Sequence, residues 1–271
     1  MNNSAIGVFD SGVGGLTCVK ELTALMPNEN IIYLGDTARV PYGTKSVDTI
    51  AKYAKEDIAF LDRFNVKMIL IACGTVSSVL MSRPLFEDSS VSEYSGVIYP
   101  TVTAACAATR NNKIGVIGTP ATIRSACYGK AIREIRKDIR VFSKACPMFV
   151  PLVENGYTDK DDPVSRLIAE EYLEGMRNEG VDTLILGCTH YPHLEGVISS
   201  VMGDNVTLIS SGAEIAKYAE RTLVANNMKA DRSEKGTLEL YCTDSEELFA
   251  ENVGTFLGHM DNISISTCSL K

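Results

Sequence analysis

The chain has 271 residues, of which 45% are hydrophobic and 22% are charged, and its formal net charge is −8. This size and composition predict an ordinary globular protein of about two domains. The acidic balance and the lack of a lysine- and arginine-rich block argue against nucleic acid or an anionic membrane as the primary partner. No apolar run approaches the ~20 residues that span a bilayer, and residues 1–4 do not begin a signal peptide, so we expect a cytoplasmic protein without a membrane segment.

Alternating strands and helices are predicted along the chain, and an alternation of this regularity is typical of parallel sheets. In the first part we expect strands at 6–9, 31–34 and 68–72 and helices at 16–25 and 47–64. After a restart near residue 98 we expect strands at 114–117, 139–142 and 183–186 and a helix at 163–179. The segments 206–209 and 238–242 are predicted to return and complete the first sheet.

The two parts of the chain resemble each other, which indicates an internal repeat. A shift of about 115 positions places Cys73 on Cys188, and a slightly shorter shift pairs segment 6–11 with 114–119. The alternative is that any two α/β strands look alike. We predict an α/β fold of two similar three-layer parallel-sheet domains related by pseudo-symmetry, with the active site in the cleft between them. The predicted domains are 1–97 with 208–271, and 98–207.

A cysteine directly follows an apolar strand in each predicted unit, at Cys73 and Cys188, and a helix start follows each cysteine. Thr75 is predicted to cap the first of these helices, and Pro192 suits the first turn of the second. Free N–H groups and the helix dipole favour a thiolate at such places, so we expect both thiols to have a lowered pKa and to be reactive. The alternative is that each is a small core residue.

The eight cysteines contain no Cys-x-x-Cys pair, and with the three histidines they form no recognisable metal spacing. We therefore predict reduced thiols and no metal site. No pyridoxal lysine motif is evident, and we predict no cofactor. Cys18, Cys106, Cys127, Cys146 and Cys268 do not directly end a predicted strand, and Cys242 ends one but has no counterpart in the other unit. All six are therefore interpreted as core or surface residues.

The first glycine-rich loop, residues 10–15, follows a strand and opens a helix, so a nucleotide site has to be considered. Thr17 stands where the third glycine of that motif belongs, and Asp10 would place a carboxylate beside the pyrophosphate. We favour a small anionic ligand at the helix N-terminus, with Ser11 as a hydrogen-bond donor. Asp10 can then accept from an ammonium group or assist a nearby thiol.

Further candidates lie in three other segments. Tyr42 and Gly43 close a Pro-Tyr-Gly turn that either lines the site or is an ordinary loop. His190 follows Cys188 by two residues and can act as its acid/base partner, whereas His193 is interpreted as a helix-surface residue. Glu154 follows an apolar stretch, which is typical either of a site acid delivered to a loop or of a helix N-terminus.

Four segments in combination resemble the glutamate racemase family. They are Asp10-Ser11-Gly12-Val13-Gly14-Gly15-Leu16, Gly35-Asp36-Thr37-Ala38-Arg39-Val40-Pro41-Tyr42-Gly43, Cys146-Pro147 with Val150-Pro151-Leu152-Val153-Glu154, and Gly187-Cys188-Thr189-His190-Tyr191-Pro192. The resemblance spans residues 6–211 in the family's order and spacing. It implies a cofactor-independent isomerase that interconverts L- and D-glutamate and supplies the D-isomer for peptidoglycan.

By this resemblance Cys73 and Cys188 are the acid/base thiols, which exchange a proton on opposite faces of the substrate Cα. Asp10, His190 and Glu154 are predicted to assist catalysis. The predicted substrate contacts are Asp10, Ser11, Pro41, Tyr42, Gly43, Gly74, Thr75, Thr119, Thr189 and His190. Glutamate is the expected partner, and a homodimer is left open.

The chain departs from the family at Gly74, because the family usually reads Ala-Cys-Asn-Thr around the first thiol. The missing amide removes a hydrogen bond to a charged group worth ~1.5–3 kcal/mol, which affects affinity and, to a lesser extent, substrate identity. The alternatives are therefore a racemase for aspartate or another small amino acid, and a non-catalytic protein that binds a small acid.

Overall fold

The computed structural model describes residues 2–258 and 262–270, which fold into two parallel β-sheets with α-helices between successive strands. The strands are β1 (Ile6–Asp10), β2 (Ile31–Gly35), β3 (Met68–Ile71), β4 (Tyr94–Gly96), β5 (Lys113–Gly118), β6 (Arg140–Ala145), β7 (Thr183–Leu186), β8 (Thr207–Ser210), β9 (Leu238–Cys242) and β10 (Ile263–Thr267). The α-helices are α1 (Leu16–Leu25), α2 (Val47–Asp62), α3 (Gly74–Leu80), α4 (Ile98–Ala108), α5 (Pro120–Ser125), α6 (Cys127–Ile135), α7 (Phe149–Glu154), α8 (Pro163–Asn178), α9 (Glu195–Met202), α10 (Ser211–Ala225) and α11 (Glu246–Leu257). Short 3-10 helices lie at Thr37–Arg39, Tyr42–Thr44 and Tyr191–Leu194.

The strand order is β10-β9-β2-β1-β3-β4 in the first sheet and β6-β5-β7-β8 in the second. Neighbouring strands run parallel throughout, and Ile6 of β1 lies opposite both Ile31 of β2 and Met68 of β3. Strands β1, β3 and β7 are buried at every position, as expected for apolar strands covered on both faces. The predicted α/β architecture with two parallel sheets is confirmed.

One apolar core extends across both sheets. Helix α10 packs against both α1 and α4, and buried side chains of these helices, such as Leu16, Val102 and Ala219, belong to the same cluster as those of β1 and β7. Burial of this shared surface holds the two sheets together. Among residues 2–258 and 262–270, no helix has both the length and the apolar character that crossing a membrane requires.

The structure corrects the sheet assignment of one predicted strand. Strand β8 pairs with β7, with Thr207 opposite Thr183, so the prediction that segment 206–209 returns to the first sheet is wrong. Strand β9 does return and pairs with β2, as predicted. Hydrophobic periodicity identifies a strand but not the edge to which it pairs, and β8 is a half-buried edge strand. The division into two domains stays a proposal, with its second boundary moved past Ser210.

The parallel topology brings chemically active side chains to one edge of each sheet. In the first sheet the N–H of Ala72 donates to the carbonyl of Phe9, so Asp10 and Cys73 leave neighbouring strands side by side. In the second sheet the N–H of Gly187 donates to the carbonyl of Ile117, which aligns the segments that lead to Thr119 and Cys188. Ligands of parallel α/β sheets bind outside these carboxyl ends.

Candidate active site

A cavity of 390 Å³ lies at the carboxyl ends of both sheets. Its lining includes every residue predicted for the site, namely Asp10, Ser11, Pro41, Tyr42, Gly43, Cys73, Gly74, Thr75, Thr119, Glu154, Cys188, Thr189 and His190. It also includes residues of the segments quoted above that were not predicted as site residues, among them Val40, Cys146, Val150, Gly187 and Tyr191. A larger cavity of 530 Å³ shares Thr75 with this one but is lined by neither Cys73 nor Cys188.

Cys73 occupies the N-cap position of α3, directly after β3, and only 5% of it is exposed. Its Sγ lies 3.7 Å from the hydroxyl oxygen of Ser11. Burial, reinforced by the nearby carboxylate of Asp10, raises the pKa of the Cys73 thiol to about 12. The prediction of a lowered pKa is therefore wrong for this thiol, because desolvation outweighs the favourable helix N-terminus.

Thr75 does not cap α3, contrary to the prediction, because the helix begins one residue before it at Gly74. Its hydroxyl instead lies 3.3 Å from the hydroxyl of Thr119, which caps α5 by accepting from the N–H of Thr122. These hydroxyls connect the first thiol segment to the second sheet. Pro192 does lie in the first turn of the 3-10 helix Tyr191–Leu194, as predicted.

Asp10 is buried beside Cys73 at the end of β1. One carboxylate oxygen, Oδ2, accepts from the N–H of Gly15 at 2.9 Å, whereas Oδ1 is buried without a hydrogen-bond partner. Burial raises the pKa of Asp10, and the charge of His190 opposes this shift. A buried acceptor that lines a cavity and lacks a partner is well suited to a ligand ammonium group.

His190 connects the second thiol to a carboxylate. Its Nδ1 lies 3.9 Å from Sγ of Cys188, and its Nε2 lies 3.0 Å from Oε1 of Glu154. Burial alone would lower the pKa of His190, but its hydrogen bonds to Cys188 and Glu154 outweigh burial and raise the pKa to about 10. The ring is therefore an imidazolium at neutral pH, and it can stabilise negative charge that develops on the neighbouring sulfur.

Glu154 and His193 differ from their predicted settings. Glu154 is the last residue of α7, so it lies neither in a loop nor at a helix N-terminus. His193 is half-buried rather than a surface residue, and its ring packs edge-on against Phe256 at 4.4 Å. Burial and the neighbouring charge of His190 lower the pKa of His193 to about 4, so this second imidazole is neutral at pH 7.

The loop that carries Tyr42 and Gly43 is anchored and is not an ordinary turn. The hydroxyl of Tyr42 donates to the buried carboxylate of Asp36 and lies 3.2 Å from Oδ2 of Asp57. Arg39 bridges these two carboxylates and also pairs with Glu56. Burial, together with the nearby Asp36, raises the pKa of Asp57 well above its ordinary value, which is consistent with three carboxylates around one guanidinium.

Cys146 is a third thiol of the cavity. It directly follows β6, which extends further than the sequence predicts, so it too stands at a strand end. Its side chain is fully buried, as the core interpretation requires, and burial raises the pKa of its thiol to about 12. Its carbonyl accepts from the Tyr191 hydroxyl at 2.9 Å.

Within residues 2–258 and 262–270 there is no cluster of three or more histidine, cysteine, aspartate or glutamate side chains that could hold a metal ion.

The fold and the site together define a class of protein. Two parallel α/β sheets present buried thiols at one shared cavity, and carboxylate, imidazole and hydroxyl groups surround them. This arrangement is suited to acid/base chemistry on a small polar ligand.

The chain belongs to the Asp/Glu/Hydantoin racemase family, whose model matches residues 16–219. It is 44% identical to glutamate racemase of Geobacter metallireducens over 94% of this chain and 93% of that protein. The structure superposes on glutamate racemase isoform RacE1 of Bacillus anthracis with a TM-score of 0.93 and 37% identity, covering 100% of this chain and 99% of the other. It also superposes on glutamate racemase of Francisella tularensis in complex with D-glutamate, with a TM-score of 0.90, 36% identity and the same coverage.

Proposed function

We propose that this protein interconverts L- and D-glutamate without a cofactor, and that Cys73 and Cys188 exchange the proton at Cα. The observation that carries the proposal is that these two thiols end central strands of different sheets and line one cavity. The relatives that match nearly the whole chain are glutamate racemases, which supports glutamate as the substrate.

Inversion at Cα requires a base on one face of the carbon and an acid on the other. In the proposed reaction a thiolate removes the Cα proton and leaves the electron pair on the carbon as a carbanion. The opposite thiol then donates its proton to the other face, so one sulfur has gained the original Cα proton and the other has transferred its own proton to the carbon. The pair ends with its protonation states exchanged, and the reverse reaction starts from that state.

The two thiols differ in their surroundings. Cys73, with a pKa of about 12, is protonated at neutral pH and is ready to act as the acid. Cys188 lies next to the His190 imidazolium, which favours this sulfur as the base. By family resemblance Cys188 faces L-glutamate, so these roles of the two thiols suit conversion of the L- to the D-isomer.

The polar groups of the cavity are proposed to hold the substrate. The partnerless Oδ1 of Asp10 would accept from the α-ammonium group, and the hydroxyls of Ser11, Thr75 and Thr119 would donate to the carboxylates. These donors also stabilise the charge of the carbanion, most effectively when water is excluded. We propose that closure of the cleft provides that exclusion.

The test is racemisation followed by circular dichroism with L- and D-glutamate and with L- and D-aspartate. We expect rotation to decay with either glutamate enantiomer and not with aspartate, and activity on aspartate alone would overturn the substrate assignment. Exchange of the substrate α-hydrogen in deuterium oxide separates an enzyme from a binding protein, which cannot support exchange.

Cys146→Ala is the matched control, because Cys146 lines the same cavity but is fully buried directly after β6. This variant should retain activity, whereas Cys73→Ala and Cys188→Ala should lose it. Inactive Cys146→Ala with an active Cys73→Ala would transfer the acid/base role to the third thiol.

We also propose that the D-glutamate is made in the cytoplasm and is used for peptidoglycan. Reduced thiols, which the mechanism requires, persist in that compartment. Expression of the chain in a bacterium that requires added D-glutamate should restore growth without the supplement. Failure of a well-expressed, active protein to do so would contradict this role.

A further inference from the structure

The two thiol-bearing segments touch through glycines on opposite sides of the cleft. A Cβ atom placed on Gly74 would lie 2.6 Å from the carbonyl oxygen of Gly187, and real Cβ atoms essentially never approach another atom within 3.0 Å. Gly74 directly follows Cys73, and Gly187 directly precedes Cys188. Each glycine of this contact is therefore bonded directly to one of the two cysteines, and a change in the contact is expected to displace both thiols.

Gly187 cannot easily withdraw from such a side chain. Its N–H donates to the carbonyl of Ile117 at 2.8 Å, which fixes it to β5. A Cβ atom on Gly187 would itself lie 2.7 Å from that carbonyl oxygen and 3.1 Å from the ring of Tyr128. The carbonyl of Ile117 and the ring of Tyr128 therefore leave Gly187 little room to move away from Gly74.

A second close approach holds the other end of the same segment. A Cβ atom on Gly14 would overlap the Thr189 hydroxyl and lie 2.6 Å from Cε1 of His190. The hydroxyl of Thr17 lies 3.1 Å from the carbonyl oxygen of Thr189 and 2.9 Å from that of Gly14, so its one proton is shared between these two acceptors. Cys188 thus lies between two contacts of its segment with the segments that follow strands of the first sheet. One is made by Gly187 and the other by Thr189.

Backbone conformation does not explain the glycine at 74. Gly74 is the first residue of α3, and it is not among the described glycines with positive φ. Glycine is a weaker helix former than alanine, so a side chain would favour the helix here. The absence of a Cβ matters at this position because of the space it leaves for Gly187.

We propose that Gly74 is a positioning residue, which lets the two thiol-bearing segments meet and thereby sets the separation of Cys73 and Cys188. This inference rests on the proposed function for the roles of the two thiols. It also gives a different explanation for glycine in place of the family's asparagine, which from the sequence alone is interpreted as a lost hydrogen bond. The space that an asparagine stem would take is occupied by the carbonyl of Gly187, so Gly74→Asn would push the segments apart before its amide could reach a ligand.

The kinetic test compares Gly74→Ala and Gly74→Asn with Gly175→Ala, a control in α8 where an added Cβ meets nothing within 4 Å. Displacement of catalytic groups by about 1 Å can lower turnover ~100-fold, so we expect kcat of Gly74→Ala to fall about 10- to 100-fold with a smaller change in KM. The control should match the wild type. A Gly74→Ala variant that keeps kcat within about twofold, or a Gly74→Asn variant that exceeds the wild type, overturns the proposal.

A second readout does not depend on activity. Cys73 and Cys188 are 5% and 7% exposed, whereas Cys18 and Cys242 are fully buried. Iodoacetamide labelling mapped by mass spectrometry should be several-fold faster at the first two cysteines in Gly74→Ala, with the last two unchanged. Unchanged labelling of Cys73 and Cys188 overturns the proposal, even if the wild type proves not to racemise glutamate and the proposed function fails.

General unfolding of Gly74→Ala would be recognised by labelling of Cys18 as well. In that case Thr17→Val tests, without added bulk, whether the Cys188 segment depends on its contacts with the first sheet, because the variant removes the hydroxyl that reaches the carbonyl of Thr189. Faster labelling of Cys188 in Thr17→Val supports the proposal, and labelling at the wild-type rate overturns it.

Discussion

His190 is expected to carry a positive charge in the native protein at neutral pH, and this charge should make stability depend on pH. Its pKa is about 10 in the folded protein against an ordinary value of 6.5. Because the folded value is raised, the contribution to stability is fully present below pH 6.5 and is lost as the pH rises through about 10. The window of declining stability therefore lies on the alkaline side of neutrality.

The size of this contribution to stability follows from the shift in the pKa of His190 and from the solvent exposure of its partner Glu154. At about 1.4 kcal/mol per pKa unit, the shift corresponds to a ceiling of about 5 kcal/mol in the free energy of unfolding. The side chain of Glu154 is 47% exposed, so water screens part of its charge. We therefore expect about 2–3 kcal/mol.

Urea unfolding at pH 7 and pH 10.5 measures this contribution when wild type is compared with His190→Gln. Lysine, tyrosine and cysteine side chains titrate in both proteins, so the difference between the two pH profiles reports the contribution of His190 to stability. The wild type should lose about 2–3 kcal/mol more than the variant over this range. Parallel profiles, or an imidazole resonance of His190 that titrates near its ordinary value, would refute the reasoning.

Three further outcomes are expected. Cys73→Ala and Cys188→Ala should each abolish racemisation yet retain slow deuterium exchange, of L-glutamate in the first and D-glutamate in the second; substantial racemisation by either variant contradicts the two-thiol mechanism. Arg39→Met should lower the free energy of unfolding in urea by about 3 kcal/mol, because it leaves the buried carboxylates of Asp36 and Asp57 without their cation. It should also raise KM, because Arg39 anchors the loop that carries Tyr42. An unchanged KM would show that this anchor does not position the loop. Activity should survive exhaustive dialysis against EDTA, and loss that added metal restores would overturn cofactor independence.

The sequence predicts best those features that are set by local pattern. The bounds of α1, β7 and β9 agree with their predicted ranges, because an apolar run of the right period specifies each element without reference to its neighbours. Strands β4 and β10 were not predicted, since both are short or half-exposed and carry little periodic signal. The residues of the candidate site were predictable because they stand in recognisable segments, several of them at the ends of strands.

Long-range contacts decide the chemistry of these residues, and the sequence pattern does not contain them. The helix start favours a thiolate at Cys73, but burial reverses the shift in its pKa. The pairing of Glu154 with His190 joins residues 36 positions apart.

The sequence by itself determined the two parallel α/β units, the thiols at their strand ends and part of the cavity lining. Only the tertiary structure decided that β8 joins the second sheet, that His190 is charged, and that Gly74 abuts Gly187. The physical reason is that secondary structure and strand ends follow from interactions within a short stretch of chain. Sheet partners, desolvation and contacts across a cleft depend instead on atoms that come together only when the chain has folded.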